Sequence, residues 1–232
     1  MSEAGGEVLA AVAAGDPERV RTIVAADPGA AAARDAVGVS AVLQARYRGD
    51  LASVAALREA LAAADVPFDV FEAAAFGEAS RLAAILAADP GAARAWSGDG
   101  FTALHLAAFF GGAGVVRPLL GAGADPDAVA RNPMEVRPLH SAVAGGDPDA
   151  ALALIAVGAD VDARQRHGWT PLHGAAQGGM GAVVDALLTA GADPRATNDA
   201  GVDAATLADE AGHAAVAARI RAAEPRPAPN AG

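Results

Sequence analysis

The chain has 232 residues, 28 of them acidic and 17 basic, every basic one an arginine, so its formal charge is −11 with histidine neutral. Hydrophobic residues make up 53%, yet only nine are aromatic and 68 are alanine, too few large side chains for one ordinary globular core of this length. The charges are spread evenly, leaving no basic stripe to neutralise nucleic-acid phosphates, and zero cysteines exclude disulfides, thiolate nucleophiles and sulfur-ligated zinc, which fits a reducing compartment.

From the amino terminus, MSEAGGEVLAAVAAGDPERV starts acidic and its apolar stretch ends at Gly15-Asp16, which does not read as a secretory signal. No apolar run approaches the roughly 20 residues that span a bilayer, and the expectation is a cytoplasmic protein with no membrane partner. A glycine then recurs six residues after a fixed position along the whole chain. Leu9 leads to Gly15, Leu43 to Gly49, Phe71 to Gly77, His105 to Gly111, His140 to Gly146, His173 to Gly179 and Thr206 to Gly212. The spacings lie near 34 residues except between Leu43 and Phe71, where 28 residues imply a shortened connection around Asp65-Val66-Pro67. Self-similarity at such a period is the mark of a repeat architecture.

The three histidine units carry the fullest pattern: FTALHLAAFFGG from Phe101, VRPLHSAVAGGD from Val136 and WTPLHGAAQGGM from Trp169. Eighteen residues after each histidine comes Gly-Ala-Asp, at Gly123, Gly158 and Gly191. Thr102 and Thr170 are placed to cap a first helix, with Pro171 at its first position. Asp16-Pro17 and Asp147-Pro148 repeat that logic at a second helix. Alanines at Ala107-Ala108 and Ala175-Ala176 let helices approach closely, while Leu119-Leu120, Leu152 with Ile155, and Leu187-Leu188 supply bulk on the facing helix. Arg137 sits where threonine caps elsewhere, after a longer connection (131–135), so an irregular turn is expected there. Pro118 falls inside a second helix, where proline removes a hydrogen bond and costs about 3 kcal/mol, so a kink is expected.

Thr170-Pro171-Leu172-His173 with its trailing Gly-Ala-Asp resembles the ankyrin repeat; Thr102-Ala103-Leu104-His105 and Arg137-Pro138-Leu139-His140 each depart from the pattern at one position. The resemblance implies an all-α solenoid of stacked helix-turn-helix units with short β-turn or hairpin fingers. It is taken as one domain over residues 1–224, with approximate units 3–37, 38–65, 66–98, 99–133, 134–166, 167–199 and 200–224, and a disordered Pro/Ala tail at 225–232. Each unit buries its apolar face only against its neighbours, which is how an aromatic-poor chain can fold. The lysine-free, alanine- and arginine-rich usage points to a GC-rich bacterial source.

Enzyme signatures are absent from the string: no Gly-x-Ser-x-Gly, no phosphate loop, no His-Glu-x-x-His. His105, His140 and His173 hold one structural position in successive units, so they stand a stacking distance apart and cannot share a metal at about 2 Å; hydrogen bonding near the helix start is their expected role. The Asp125/Asp127 and Asp160/Asp162 pairs recur because the turn recurs, which favours turn formation over acid-base work. No catalytic residue, cofactor or metal is assigned.

Ankyrin proteins generally bind other proteins through a concave surface built from the turn before each first helix and the two positions before its closing glycine. The resemblance places Trp96, Asp99, Phe101, Phe109 and Phe110 there in the fourth unit and Val136 and Arg137 in the fifth. The sixth contributes Arg164, Arg166, His167, Trp169 and Gln177, and Tyr47, Arg48, Phe76 and Glu210 complete the row. Seven of the nine aromatics fall on it, interleaved with arginines, the residue types enriched at interface hot spots. The function expected is a non-enzymatic adaptor, regulator or inhibitor, monomeric when free, binding an unidentified protein and no nucleic acid. The alternatives are a protective or stabilising accessory subunit of an enzyme and, from another class, a ligand-binding or hydrolytic protein on a repeat scaffold.

Overall fold

The computed structural model describes residues 2–223, so the tail expected from residue 225 lies outside them. The described residues are mainly helical, with no sheet, as the all-α expectation requires. They form two compact units, residues 2–73 with Trp96–Gly100, and Ala74–Ala95 with residues 101–223.

In the first unit, α1 (Glu3–Ala14) packs on α2 (Pro17–Ala26), and α3 (Ala41–Tyr47) on α4 (Leu51–Ala63). Each helix starts at a residue whose side chain satisfies an amide that the helix leaves unpaired. Ser2 accepts from the Gly5 N–H at 3.1 Å, Asp16 from Arg19 at 2.9 Å and Asp50 from Ser53 at 3.0 Å. α1 ends at Gly15 with φ 67°, a left-handed turn that glycine adopts without a Cβ penalty. An antiparallel bridge between Arg34 and Ser40 closes a short finger, and Arg34 reaches the buried carboxylate of Glu72 at 3.1 Å and Asp69 at 3.0 Å. Helix α5 (Val70–Ala75) runs from the first unit into the second.

The second unit continues with α6 (Ala79–Ala88), α7 (Ala103–Leu106), α8 (Ala113–Gly121), α9 (Pro138–Gly145), α10 (Pro148–Ala156), α11 (Pro171–Gln177), α12 (Gly181–Ala190), α13 (Ala204–Glu210) and α14 (Ala214–Ala222). Two rows result. The inner helices α7, α9, α11 and α13 contact one another in sequence, the outer helices α8, α10, α12 and α14 do the same, and each inner helix packs on its own outer one. Aliphatic side chains close this core: Leu82, Leu104, Leu119, Leu139, Leu154, Leu172, Leu187 and Ile220 are all fully buried, with alanines and valines between them. No aromatic residue of either unit is buried. A solenoid assembled this way needs no central cluster of rings.

Four details refine the sequence reading. In α10 the fully buried residue is Leu154, not Leu152 or Ile155, which are half-buried. Asp147 and Pro148 fix the helix start, and the face with Ala150, Ala151 and Leu154 then turns inward at helical spacing. Gly111 does not end the first helix of its unit. Residues Ala107–Gly111 form a π turn that takes in one extra residue, and the positive φ, 80°, passes to Gly112. Pro118 lies inside α8, which runs uninterrupted from Ala113 to Gly121. The carbonyl that the proline leaves without an intrahelical donor belongs to Gly114, an exposed residue that water can reach. The segment before α9 is irregular, as Arg137 and the longer connection imply: Glu135 is left-handed at φ 52°, and the Ala130 N–H donates to the Val136 carbonyl at 2.8 Å. The finger before α13, by contrast, closes with an antiparallel bridge between Thr197 and Asp203.

Candidate functional site

What makes the inner row rigid is a repeated histidine bond. At His105, His140 and His173, ring Nδ1 accepts the backbone N–H of the residue that precedes the helix, Thr102, Arg137 and Thr170, at 3.2, 3.2 and 3.1 Å. A backbone N–H can only donate, so Nδ1 carries no proton and Nε2 does. Each Nε2–H then donates across to the following unit, to the carbonyls of Val136, Ala163 and Val202 at 3.1, 3.1 and 3.2 Å. Both ring nitrogens are therefore occupied within the protein, and the neutral tautomer is built into the geometry. Burial pushes all three imidazoles below their ordinary value, His140 to about 4. The threonine hydroxyls of Thr102 and Thr170 meet the same Nδ1 at 2.8 Å; Arg137, with no hydroxyl, leaves His140 with the backbone bond alone.

The aromatic positions of the second unit lie at the edges of this frame. Phe101 leans on His105 and Trp169 on His173, with ring centroids 5.8 and 5.9 Å apart. Phe109 and Phe110, carried on the π turn, meet edge to face at 4.5 Å, and Phe109 remains 42% exposed. Backbone packing holds that turn in place. A Cβ on Gly111 would fall 2.0 Å from the Ala74 carbonyl oxygen, and one on Gly145 would fall 2.3 Å from that of Phe109, so bare glycine on both sides admits the turn. Phe76 is half-buried.

The arginines divide by partner. Arg137 is drawn to the acidic finger, 2.5 Å from Asp160 and 3.8 Å from Asp127. Arg164 donates to the Gly168 and Thr197 carbonyls at 3.4 and 3.0 Å. Arg166 and His167 are exposed at a tip where His167 is left-handed, φ 65°. In the first unit Tyr47 and Arg48 are exposed and Trp96 is half-buried. Although Tyr47 as a whole is 37% exposed, its hydroxyl end is covered, and that burial and then the carboxylate of Asp99 push it well above the ordinary phenol range.

Two of the sequence-derived positions, Trp169 and Gln177, line one cavity of ≈ 380 Å³ between α9 and α11. Its other walls include Val143, Ala144, Gln165, Gly174 and Gly178, with His140 at its back. The sequence reading missed these residues. The available signal was Gly174, which stands where the neighbouring units have Leu106, Ser141 and Leu207 and which lets Val143 lean in, its Cγ1 2.8 Å from where a Cβ would be. Among the described residues no helix is long and apolar enough to cross a membrane.

A family model described as ankyrin repeats (3 copies) matches residues 70–165 and 104–198, together more than half of the chain. The chain is 40% identical over 95 residues to the probable E3 ubiquitin-protein ligase XBOS31 and 42% identical over 94 residues to the E3 ubiquitin-protein ligase XB3, both of Oryza sativa subsp. japonica. Each match covers 40% of this chain and 21% or 20% of the relative, so the chain spans about a fifth of the length of the curated relatives it matches. The repeat motif, the two rows of helices and the histidine bonds between units agree with the family match: the chain belongs to the ankyrin-repeat family and carries a protein-interaction module.

Proposed function

We propose that the chain is a non-enzymatic adaptor, regulator or inhibitor that binds a cytoplasmic partner protein. In the second unit the binding surface is the exposed inner-helix face and its finger tips, from Phe109 and Phe110 to Trp169 and Gln177; Tyr47, Arg48 and Trp96 belong to the corresponding surface of the first unit. The observation that carries this reading is the placement of the aromatics. Nine rings are all the chain has, and among the described residues aliphatic side chains make up the fully buried core without any of them. Rings left at a surface supply large, stiff contact area to a partner at small entropic cost. The histidine bonds hold that surface preformed, so little ordering remains to be done on binding. From the rice relatives we carry over recognition of another protein and not ligase chemistry, because the match takes in only about a fifth of each.

The test is affinity capture from native cytoplasm with the full chain as bait and a Trp169→Ala/Phe110→Ala double variant as control. A partner retained by the parent and lost by the double variant is the expected result. Equal retention by both would place the binding surface elsewhere.

A further inference from the structure

The cavity between α9 and α11 has a chemistry of its own. Val143, Ala144 and the Trp169 ring give it apolar walls, with Val143 set against Gly174, where a Cβ would lie 2.8 Å from the Val143 Cγ1. No charged side chain lines it. His140 at the back is buried and neutral with both nitrogens bonded. A charged group entering the hollow would lose water and meet no counter-charge. An apolar group loses nothing of that kind. At the edge stand two carboxamides, Gln165 and Gln177, which make no side-chain hydrogen bond among the described residues. Each offers a donor and an acceptor, which together match the N–H and C=O of a peptide unit rather than a lone hydrocarbon. Beside Gln165 the finger holds Arg164, bonded only to carbonyls, and Arg166, with no ion pair among the described residues. Arg166 is thus a cation without an ion pair in a chain of net charge −11, whereas Arg164 has the Asp199 carboxylate beside it at Gly168.

Resting on the reading that this face binds protein, we infer that the hollow seats one uncharged apolar side chain of an extended partner segment. The carboxamides of Gln165 and Gln177 bond the backbone of that segment, and a carboxylate close by in its sequence meets Arg166 on the finger. The partner motif is thus an aliphatic residue with a neighbouring aspartate or glutamate. Arginine at the finger serves this role well because its fork of donors matches a carboxylate.

A random dodecapeptide library displayed on phage, selected on the immobilised full chain, tests the motif whatever the identity of the partner. The expected yield is peptides that share a Leu, Ile or Met with an adjacent acid. Binding of the enriched peptide should weaken about tenfold with Trp169→Ala, the cost of a truncated hot-spot ring, and weaken similarly with Gln177→Glu. That second substitution lies at an exposed helix end, leaves the core untouched, and puts a carboxylate where the segment brings its own. Binding should also fall as salt rises, because the arginine contact is exposed and screened. Enriched peptides that are basic or lack an aliphatic residue overturn the inference, as does a selection that enriches nothing. Peptides that lose affinity with Phe110→Ala but not with Trp169→Ala or Gln177→Glu overturn the cavity assignment while leaving the protein-binding reading intact. Loss of that broader reading has its own signature, equal capture of the cytoplasmic partner by parent and double variant.

Discussion

His140 is held neutral by its bonds, and that makes it the residue through which acidity reaches the fold. A proton on Nδ1 would turn an acceptor into a donor facing the Arg137 N–H and break the contact outright. The groups facing the ring are the Ala163 and Trp169 carbonyls and the charges of Arg137 and Asp160; burial, helped by the Arg137 charge, outweighs the carbonyls and Asp160 and lowers the imidazole to about 4. Unfolded histidine titrates near 6.5, so between those values the unfolded chain binds the extra proton. Stability is therefore complete above about pH 6.5 and falls as pH drops toward 4, by about 3 kcal/mol from this residue alone, with His105 and His173 adding in the same sense. The bonded carboxylates Asp50 and Asp203 sit below their ordinary range, so their contribution is lost only at lower pH. Urea midpoints between about pH 7.5 and pH 4.5 should fall steeply for the parent and less for His140→Gln, which has a donor and an acceptor but takes up no proton. Glycines give a second residue-scale contrast. Gly114→Ala meets no atom within 4 Å in an exposed helix position and should stabilise by about 0.5–1 kcal/mol, whereas Gly145→Ala drives a Cβ against the Phe109 carbonyl and should cost about 1–3 kcal/mol in thermal or urea melts.

Among the elements, α8 shows how context decides a proline's effect. The lost hydrogen bond falls on the exposed side of the helix, so water replaces the donor and the helix passes through. The intrinsic cost remains, and Pro118→Ala should raise stability by about 1–3 kcal/mol without altering helix content by circular dichroism. A lower midpoint would mean that the proline ring itself makes a stabilising contact. The sequence could place Pro118 inside a helix but not foresee its tolerance, because exposure of the Gly114 carbonyl depends on which way the helix faces in the stack. The π turn is a similar case. Phe109-Phe110-Gly111-Gly112 offers two adjacent glycines, and a six-residue offset selects the first. Packing selects the second, since Gly111 lies against the Ala74 carbonyl. What could be read directly were the features with a fixed local chemistry: the capping positions at Asp16, Thr102 and Asp147, and the recurring histidine. The cavity beside Trp169 escaped because it forms only where α9 and α11 pack, from residues far apart in the string such as Val143, Gln165 and Gln177, none of which belongs to a motif.

At the scale of the molecule, the arrangement in rows determines how damage spreads. In the second unit α13 and α14 bury their apolar faces against each other, α11 and α12. A repeat array of this kind has a stability close to a sum of unit terms and nearest-neighbour interfaces, and opening is cheapest where, as for α13 and α14 among the described residues, packing is against one neighbouring helix pair. Ile220, on α14, and Leu139, on α9, are both fully buried, and truncating either to alanine removes contacts worth about 2–5 kcal/mol. Their consequences should nonetheless differ. With Ile220→Ala, native-state hydrogen exchange should accelerate through α13 and α14 while the amides of α9 keep their protection, because the broken interface lies beyond them. Leu139→Ala weakens a helix with inner neighbours on both sides, the π turn at 107–111 and α11, so acceleration should extend in both directions from α9. The surface from Phe109 to Trp169 spans that interval, so Leu139→Ala should weaken partner binding although Leu139 is 1% exposed and touches no partner, and Ile220→Ala should leave binding near the parental level. Uniform acceleration across the second unit in both variants would instead show a single cooperative body, and the same two exchange maps distinguish the cases.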